Sequence, residues 1–253
     1  MIRDFHQPGG QPAARTSGDI LTEMIRRNRQ IPTEQITHLI FDLDGTLVDS
    51  RLDLSNSVNA MLRHFGKPVL PNEVIASYIG DGAPMLVRRS LGDPDDESYV
   101  QRALEYFLLY YREHKLDYTY VYPGIKEALN SLRSSRNGTT LKMSIFTNKP
   151  VVPARAIVEA LGLGPYFFQV YGGNSFHTKK PDPAGVQALL EESGTEAQQT
   201  VIVGDSDVDV LTARNAGTFS IGVGYGFAPH TFVDAAPDVL VETPEELGQV
   251  FSG

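Results

Sequence analysis

Two carboxylates separated by one residue, Asp42 and Asp44, give the strongest chemical signal in this chain of 253 residues. They follow Leu39 to Phe41, an apolar run that is typical of a buried strand. Ligands of open α/β sheets bind at the carboxyl ends of the strands, so acids at this point are placed for chemistry. Two close carboxylates repel each other, and a divalent cation would relieve the repulsion. An ordinary Asp-Gly turn at Asp44 and Gly45 explains these residues about equally well when they are taken alone.

Two further segments carry groups that suit a phosphate. Thr147, Asn148 and Lys149 supply a hydroxyl, an amide and a cation directly after the apolar run 141–146. Lys180 precedes two nearby prolines, which restrict the backbone and would hold this cation in one place. A Lys-Lys-Pro segment by itself is more often part of the surface than of a site.

A fourth segment repeats the pattern of a strand that ends in acids. The β-branched run 200–203 leads into Asp205, Ser206, Asp207 and Asp209. Each of the four segments could be a solvated turn when considered alone. Their combination in this order is poorly explained by chance.

The four segments together resemble the motif series of the haloacid dehalogenase superfamily, which consists largely of phosphohydrolases. The resemblance covers about residues 37–245. It implies that Asp42 attacks phosphorus and becomes an aspartyl phosphate, and that Asp44 is the general acid and base. It also implies that the Thr147 hydroxyl binds the phosphate and that Lys180 neutralises the nucleophile and the transferring phosphoryl group.

The resemblance further implies a metal site. The carboxylates of Asp42 and Asp205 and the backbone carbonyl of Asp44 would hold the ion, while Asp209 would orient Lys180 or a metal-bound water. Ser206 and Asp207 are alternatives for that supporting role, which the sequence does not separate. These ligands are hard oxygens and the chain has no cysteine, so magnesium is favoured over zinc.

The reaction itself requires these residue types. Phosphoryl transfer depends on positioning and on neutralising the charge of the equatorial oxygens, which a metal ion, a lysine and backbone N–H groups supply. A carboxylate nucleophile divides hydrolysis into two easier displacements. An alkoxide leaves poorly, so Asp44 must give it a proton and later take one from the attacking water.

Composition excludes several classes of function. The 31 acidic and 22 basic residues give a net charge of −9, which argues against a nucleic-acid-binding surface. The absence of cysteine excludes disulfides and thiolate chemistry and fits a reducing cytoplasm. No apolar run is long enough to span a bilayer, and the first 18 residues do not resemble a signal peptide. We therefore expect a cytoplasmic protein without a membrane partner.

The chain is predicted to contain an arm and two domains. Residues 1–36 form an N-terminal arm with a short helix over 19–30, and it is either a disordered extension or, less often in such chains, a docking element. Helical spacing between residues 51 and 121 predicts a cap of four helices, which are expected at residues 53–65, 71–79, 83–91 and 99–115. The aromatic residues near 106–111 are expected to serve the core and surface of this cap. We expect a monomer or a homodimer.

Residues 37–50 and 122–253 form the predicted catalytic core. Strands and helices alternate along the second segment, which implies βαβ units and a parallel sheet covered on both faces. The predicted fold class is therefore α/β, with a Rossmann-like parallel-sheet core and an inserted α-helical cap that lies over the active site.

The cap is expected to select the substrate. Gly80, Asp81 and Gly82 precede a helix that has Pro84 in its first turn, and the free N–H groups of a helix N-terminus can bind an anion. With its flanking motifs, this segment resembles the phosphoglycolate phosphatase branch of the superfamily. The substrate would then be 2-phosphoglycolate, a small anionic phosphate ester whose carboxylate would meet the backbone of Gly80 and Gly82. Asp81 should face solvent or cap an amide.

Several alternatives stay open at this point. At most one of the adjacent Arg88 and Arg89 should face the ligand, because neighbouring helical residues point about 100° apart. The same motifs serve sugar-phosphate hydrolases, pyrophosphate hydrolases and a phosphomutase, whereas a dehalogenase is disfavoured because that branch lacks the acid corresponding to Asp44. A catalytically silent regulatory protein is the alternative outside the enzymes, but the complete set of polar site residues argues against it.

Overall fold

The computed structural model describes residues 25–134 and 141–251 of the chain. These residues form the strands β1 Arg26–Arg27, β2 His38–Phe41, β3 Val48–Asp49, β4 Tyr120–Val121, β5 Lys142–Phe146, β6 Gln169–Tyr171, β7 Thr200–Gly204, β8 Phe219–Val223 and β9 Val239–Val241. The α-helices are α1 Arg51–His64, α2 Asn72–Ala76, α3 Ala83–Ser90, α4 Glu97–His114, α5 Ile125–Arg133, α6 Val151–Ala160, α7 Ala184–Ser193, α8 Asp207–Ala216 and α9 Pro244–Val250. Short 3-10 helices lie at Thr33–Gln35, Gly164–Tyr166, Ala197–Gln199 and Pro229–Val233.

Seven strands form one sheet in the order β1-β9-β8-β7-β2-β5-β6. All of its pairings are parallel except that of β1, which runs antiparallel to β9 at the edge. The central strand β2 is completely buried, and Phe41 at its end pairs with Ile145 of β5 and Val203 of β7. The carboxyl ends of three neighbouring strands therefore meet at one edge of the sheet. The predicted α/β fold with a parallel sheet is confirmed.

The residues of β2 divide between the two faces of the sheet. Leu39 and Phe41 belong to a cluster that contains apolar residues of α5, α6 and α9, whereas Ile40 packs with residues of α7 and α8. Side chains alternate along a strand, so a continuous apolar run is what a strand covered on both faces requires. This packing fixes the position of Asp42, the residue that follows β2.

The helices α1 to α4 pack around a separate apolar cluster, which includes Val58, Met61, Val87 and Phe107. The chain enters and leaves this helical unit through a two-stranded ribbon of β3 and β4. The buried carboxylate of Asp53 accepts hydrogen bonds from the amides of Tyr118 and Thr119 and from the Thr119 hydroxyl, and so ties the start of α1 to the returning chain. The domain limits of the arm, core and cap remain predictions.

The prediction of a helix over residues 19–30 is wrong for the part of that range that the structure describes. Arg26 and Arg27 form β1 and pair with Leu240 and Val239 of β9, whereas residues 1–24 lie outside the described residues. The edge of β9 offers unpaired backbone groups, and pairing with them satisfies the N–H and C=O groups of this segment. Within the described ranges, no helix combines the length and apolar character needed to cross a bilayer.

A buried histidine at the start of β2 makes stability depend on pH. The His38 ring lies 2.9 Å from the Ser144 hydroxyl through Nε2 and 3.2 Å from the hydroxyls of Ser193 and Thr195 through Nδ1. Burial lowers the pKa of His38 from 6.5 to about 4, and the charge of Lys142 adds to the effect. The unfolded chain therefore binds more protons than the folded protein between these two values.

We expect this stabilisation to be complete above pH 6.5 and to be lost as the pH falls towards 4. From the two pKa values, His38 should lower the free energy of unfolding by about 2 kcal/mol between pH 7.5 and pH 5. Urea unfolding at the two pH values should show this loss in the wild type and a smaller loss in His38→Gln, which has no titrating ring. Equal losses in the two proteins would contradict the assignment.

Candidate active site

The residues predicted from the four sequence segments meet in one pocket. Asp42, Thr147 and Asp205 follow β2, β5 and β7, whose ends are aligned by the strand register. The pocket lies between the sheet and the helical cap. Its lining includes every predicted site residue except Asp209, namely Asp42, Asp44, Gly80, Gly82, Thr147, Asn148, Lys180 and Asp205.

Lys180 is held between two carboxylates at the base of the pocket. Its buried Nζ lies 3.0 Å from Oδ1 of Asp42 and 2.6 Å from Oδ1 of Asp209. Burial acts to lower the pKa of Lys180, but Asp209 and Asp42 outweigh it and raise the pKa above its ordinary value. The lysine therefore stays cationic beside Asp42.

Asp209 uses both of its carboxylate oxygens. Oδ1 accepts a hydrogen bond from Lys180, and Oδ2 accepts hydrogen bonds from the Ser206 amide at 3.3 Å and from the Ser206 hydroxyl at 2.8 Å. The bonds to Ser206 belong to the capping box at the start of α8. Asp209 is thereby fixed by its own helix end and presents one oxygen to Lys180, which fits a positioning residue better than a metal ligand.

The carboxylates of Asp42, Asp205 and Asp209 have oxygens within 4.8 Å of one another. Burial raises the pKa of Asp42 to about 6, with Lys180 opposing the shift and Asp209 adding to it. Burial, with the charges of Asp209 and Asp42, raises the pKa of Asp205 well above its usual range. Oδ1 of Asp42 is buried and has the Lys180 ammonium at 3.0 Å as its one recorded partner among the described residues. A divalent cation fits this cluster, and Asp42 and Asp205 are the carboxylates with oxygens left for it.

Two loops distant in sequence surround the Asp205 carboxylate, one containing Phe227 and Ala228 and the other containing Gly45. Its Oδ2 accepts hydrogen bonds from the amides of Phe227 at 2.6 Å and Ala228 at 3.2 Å. On the other side, Gly45 has φ of +82°, and a Cβ atom there would lie 2.2 Å from the same oxygen. The glycine after Asp44 is therefore required both by its backbone conformation and by the close approach of Asp205.

Asp44 forms an ion pair that the sequence did not predict. Nζ of Lys149 lies 2.8 and 3.0 Å from the two carboxylate oxygens of Asp44, and the Ser50 hydroxyl donates a hydrogen bond of 2.6 Å to Oδ1. Nζ of Lys149 also lies 4.7 Å from the centre of the Tyr111 ring, which comes from α4 of the cap. Asp44 of the core and Tyr111 of the cap thus both contact the ammonium of Lys149.

The loop before α3 is bound to the core through its backbone carbonyls. Nδ2 of Asn148 donates hydrogen bonds to the Gly80 carbonyl at 3.0 Å and to the Lys180 carbonyl at 3.2 Å, and Lys179 donates to the Asp81 carbonyl. Gly82 has φ of +83°, and a Cβ atom there would lie 2.9 Å from the Asn148 carbonyl oxygen. Gly82 therefore permits a close approach of this loop to the core.

The charged residues near this loop pair with each other. The Asp81 side chain is 37% exposed and so faces solvent, as expected, and its carboxylate lies 2.6 Å from Arg89. Arg88 contacts Glu97 at 2.5 Å and the Pro94 carbonyl at 2.9 Å. Neither arginine lines the pocket.

Residues 39–223 match the family model described as haloacid dehalogenase-like hydrolase. The chain belongs to this family. The match covers well over half of the chain and spans all four polar segments of the sequence, from Asp42 to Asp209.

Relatives of the hydrolase carry a more specific name. A phosphoglycolate phosphatase of Chromobacterium violaceum is 39% identical over 218 residues, which are 85% of this chain and 96% of that protein. A phosphoglycolate phosphatase of Pseudomonas syringae pv. tomato is 38% identical over 194 residues, which are 75% of this chain and 70% of the relative. A predicted phosphoglycolate phosphatase from Haemophilus somnus has a solved structure that matches with a TM-score of 0.78 and 29% identity, covering 85% of this chain and 98% of its own. These matches identify a phosphatase-like enzyme.

The polar segments of the hydrolase do not include every residue that forms its pocket. Lys149 does belong to the second polar segment, where its cation was expected, with Thr147 and Asn148, to suit a phosphate. Tyr111 had no usable signal, because an aromatic residue on the apolar stripe of a cap helix is typical of core packing. Its buried side chain does pack in the cap cluster, but it also lines the pocket.

Proposed function

We propose that the chain is a magnesium-dependent phosphomonoester hydrolase that forms an aspartyl phosphate on Asp42 and acts on 2-phosphoglycolate. The observation that carries the proposal is the position of Asp42. It follows the central strand, contacts the buried cation of Lys180 and lies in a pocket between the strand ends and the cap. A carboxylate nucleophile needs this combination of a fixed position, a neighbouring cation and limited access for water.

In the first half of the reaction, an oxygen of Asp42 attacks phosphorus and the bond to the ester oxygen breaks. Lys180 neutralises charge on Asp42 and on the phosphoryl group, and the hydroxyl of Thr147 and the backbone N–H of Asn148 bind phosphoryl oxygens. Asp44 gives its proton to the departing alkoxide. In the second half, Asp44 takes a proton from water, and the resulting hydroxide releases phosphate from Asp42.

The residues that would hold Mg²⁺ are the carboxylates of Asp42 and Asp205 and the backbone carbonyl of Asp44. When bound, the ion supplies positive charge that neutralises the phosphoryl oxygens and the two carboxylates. The fit rests on the cluster of oxygen donors and on the burial of Asp205 beside the charges of Asp209 and Asp42, which together raise its pKa.

The choice of substrate rests on the relatives and on the size of the space under the cap. The Chromobacterium violaceum and Pseudomonas syringae relatives are named phosphoglycolate phosphatases. The pocket lies between the strand ends and the side chains of Phe107 and Tyr111, which favours a small ester over a bulky sugar phosphate. A sugar-phosphate or pyrophosphate hydrolase, or a phosphomutase, would use the same core residues.

The proposal is tested by assaying free phosphate released from a panel of esters in the presence of Mg²⁺. The panel should contain 2-phosphoglycolate, ethyl phosphate, a hexose phosphate and pyrophosphate. We expect 2-phosphoglycolate to have the highest kcat/KM. Isomerised sugar phosphate without free phosphate would indicate a mutase, and preference for a hexose phosphate would refute the proposed substrate.

Asp205→Asn should raise the Mg²⁺ concentration needed for half-maximal activity, because it removes one anionic oxygen from the site. Chelation should stop the wild type reversibly. A second readout is stabilisation by the metal: Mg²⁺ should raise the melting temperature of the wild type more than that of the variant. Asp234→Asn, which changes an exposed acid away from the pocket, is the matched control. Full activity in excess chelator would contradict the metal site.

A further inference from the structure

The pocket contains two cations among its described lining residues, Lys180 and Lys149. Lys180 is occupied by Asp42 and Asp209 and serves the phosphoryl group in the proposed reaction. Lys149 has no part in that reaction, although its side chain is only 3% exposed. A buried ammonium loses much of its hydration, which is unfavourable. An anion bound beside it in the pocket would compensate for the lost hydration.

The immediate surroundings of Lys149 suit a carboxylate. Its Nζ already binds both oxygens of the Asp44 carboxylate. The ring of Tyr111 covers the ammonium from the cap, and the buried Tyr111 hydroxyl has no hydrogen-bonding partner other than Lys149 among the described residues. A cation and a phenolic O–H therefore face the same part of the pocket.

The cations around the cap loop 80–82 have partners outside the pocket. Arg88 pairs with Glu97 and Arg89 with Asp81, outside the pocket. Lys179 donates to the Asp81 carbonyl and so helps to bind the cap loop to the core. The carbonyls of that loop, rather than its N–H groups, make the contacts with Asn148 and Lys179. Recognition of a carboxylate by the loop thus has no cation to support it.

We propose that Lys149, with the hydroxyl of Tyr111, binds the carboxylate of the substrate and so sets the specificity of the enzyme; this rests on the proposed function. In 2-phosphoglycolate a single CH2 group separates the ester oxygen from the carboxylate carbon. Asp44 must donate a hydrogen bond to the ester oxygen, and Nζ of Lys149 lies 2.8 Å from Oδ2 of Asp44. The Asp44 carboxylate and the Lys149 ammonium are therefore neighbours in the protein. The ester oxygen and the carboxylate that they would bind are likewise neighbours in the substrate.

The same arrangement explains how Asp44 becomes available for the reaction. Without ligand, the Asp44 carboxylate is the anion that accompanies Lys149. A bound substrate brings its own carboxylate, which takes over the ammonium. Asp44, released from the ion pair, takes up a proton from water, turns to the ester oxygen and delivers that proton to it. An ester without a carboxylate leaves Lys149 paired with Asp44.

The test compares Lys149→Met with wild type on 2-phosphoglycolate and on ethyl phosphate, in which a methyl group replaces the carboxylate. Charge-assisted hydrogen bonds of the usual strength predict a fall in kcat/KM for 2-phosphoglycolate of about 10- to 150-fold. The value for ethyl phosphate should rise, because loss of Lys149 frees Asp44 from the ion pair that this ester otherwise leaves intact. Lys149→Arg should keep part of the selectivity, and Tyr111→Phe should lose a smaller part. Lys126→Met, an exposed lysine on α5, is the matched control and should behave as wild type.

A binding measurement tests recognition of the carboxylate without catalytic turnover. The unreactive analogue 3-phosphonopropionate carries the carboxylate, and propylphosphonate lacks it. In calorimetry with Mg²⁺ present, wild type should bind the first compound more tightly, and Lys149→Met should bind the two alike. If Lys149→Met does not fold, Lys149→Gln replaces it in both experiments, because it keeps a polar side chain of similar length.

The outcomes separate this proposal from the proposed function. No phosphate released by wild type from any ester would refute the phosphatase itself. Turnover of both esters by wild type, with parallel losses in Lys149→Met, would show that Lys149 acts only by positioning Asp44 and would overturn the carboxylate site. Equal cleavage of ethyl phosphate and 2-phosphoglycolate by wild type would overturn it as well.

Discussion

Asp42→Asn is expected to abolish turnover and to leave the fold intact. The amide keeps the size of the carboxylate but cannot attack phosphorus, and removal of a nucleophile lowers kcat on the order of 10⁴-fold or more. The change also removes one charge from a buried cluster in which Asp42 has a pKa raised to about 6 by burial. The metal-free variant should therefore melt no lower than wild type, provided that its amide still contacts Lys180.

The measurements are phosphate release, thermal melting and mass spectrometry of the trapped phosphoenzyme. Wild type mixed briefly with substrate and quenched in acid should carry phosphate on the peptide that contains Asp42, and beryllium fluoride should bind the same carboxylate as a phosphoryl mimic. Asp234→Asn, the exposed control, should keep wild-type activity. Phosphate found on a different side chain would sink the assignment of Asp42.

Asp44→Asn should slow the first chemical step in a way that depends on the leaving group. An alkyl phosphate needs a proton on its departing oxygen, so formation of the aspartyl phosphate should fall by roughly 10²- to 10⁴-fold. The same step with p-nitrophenyl phosphate should fall much less, because nitrophenolate leaves without a proton. Rapid-quench measurement of the phosphoenzyme gives both rates, and both substrates should then stall before hydrolysis.

The two substrates serve as controls for each other in this experiment. The variant loses the ion pair between Asp44 and Lys149, but its side-chain oxygen can still accept the hydrogen bond from Ser50. If the side chain matters only because it keeps the backbone of Asp44 in place for the metal, both formation rates should fall equally. That result would assign Asp44 to the metal site and leave the general acid unidentified.

The sequence by itself determined the parallel sheet and the group of residues at its edge. Short apolar runs that end in polar groups predicted β2, β5 and β7, because a strand covered on both faces must be apolar throughout. Parallel strands with aligned registers bring their carboxyl ends together, so Asp42, Thr147 and Asp205 had to be neighbours once the strands were identified. Local pattern and sheet geometry were sufficient for this part.

Only the tertiary structure decided which charged groups pair. Lys149 and Asp44 are 105 positions apart, and the distance between them depends on β5 lying beside β2 and on the cap packing over both. Arg26 and Arg27 form a strand because β9, more than 200 residues later, supplies its partner. Local propensity is weaker than such pairing, and for this reason the predicted helix there was wrong. Ion pairs and edge strands are fixed by contacts between distant residues, and no local spacing of residue types encodes them.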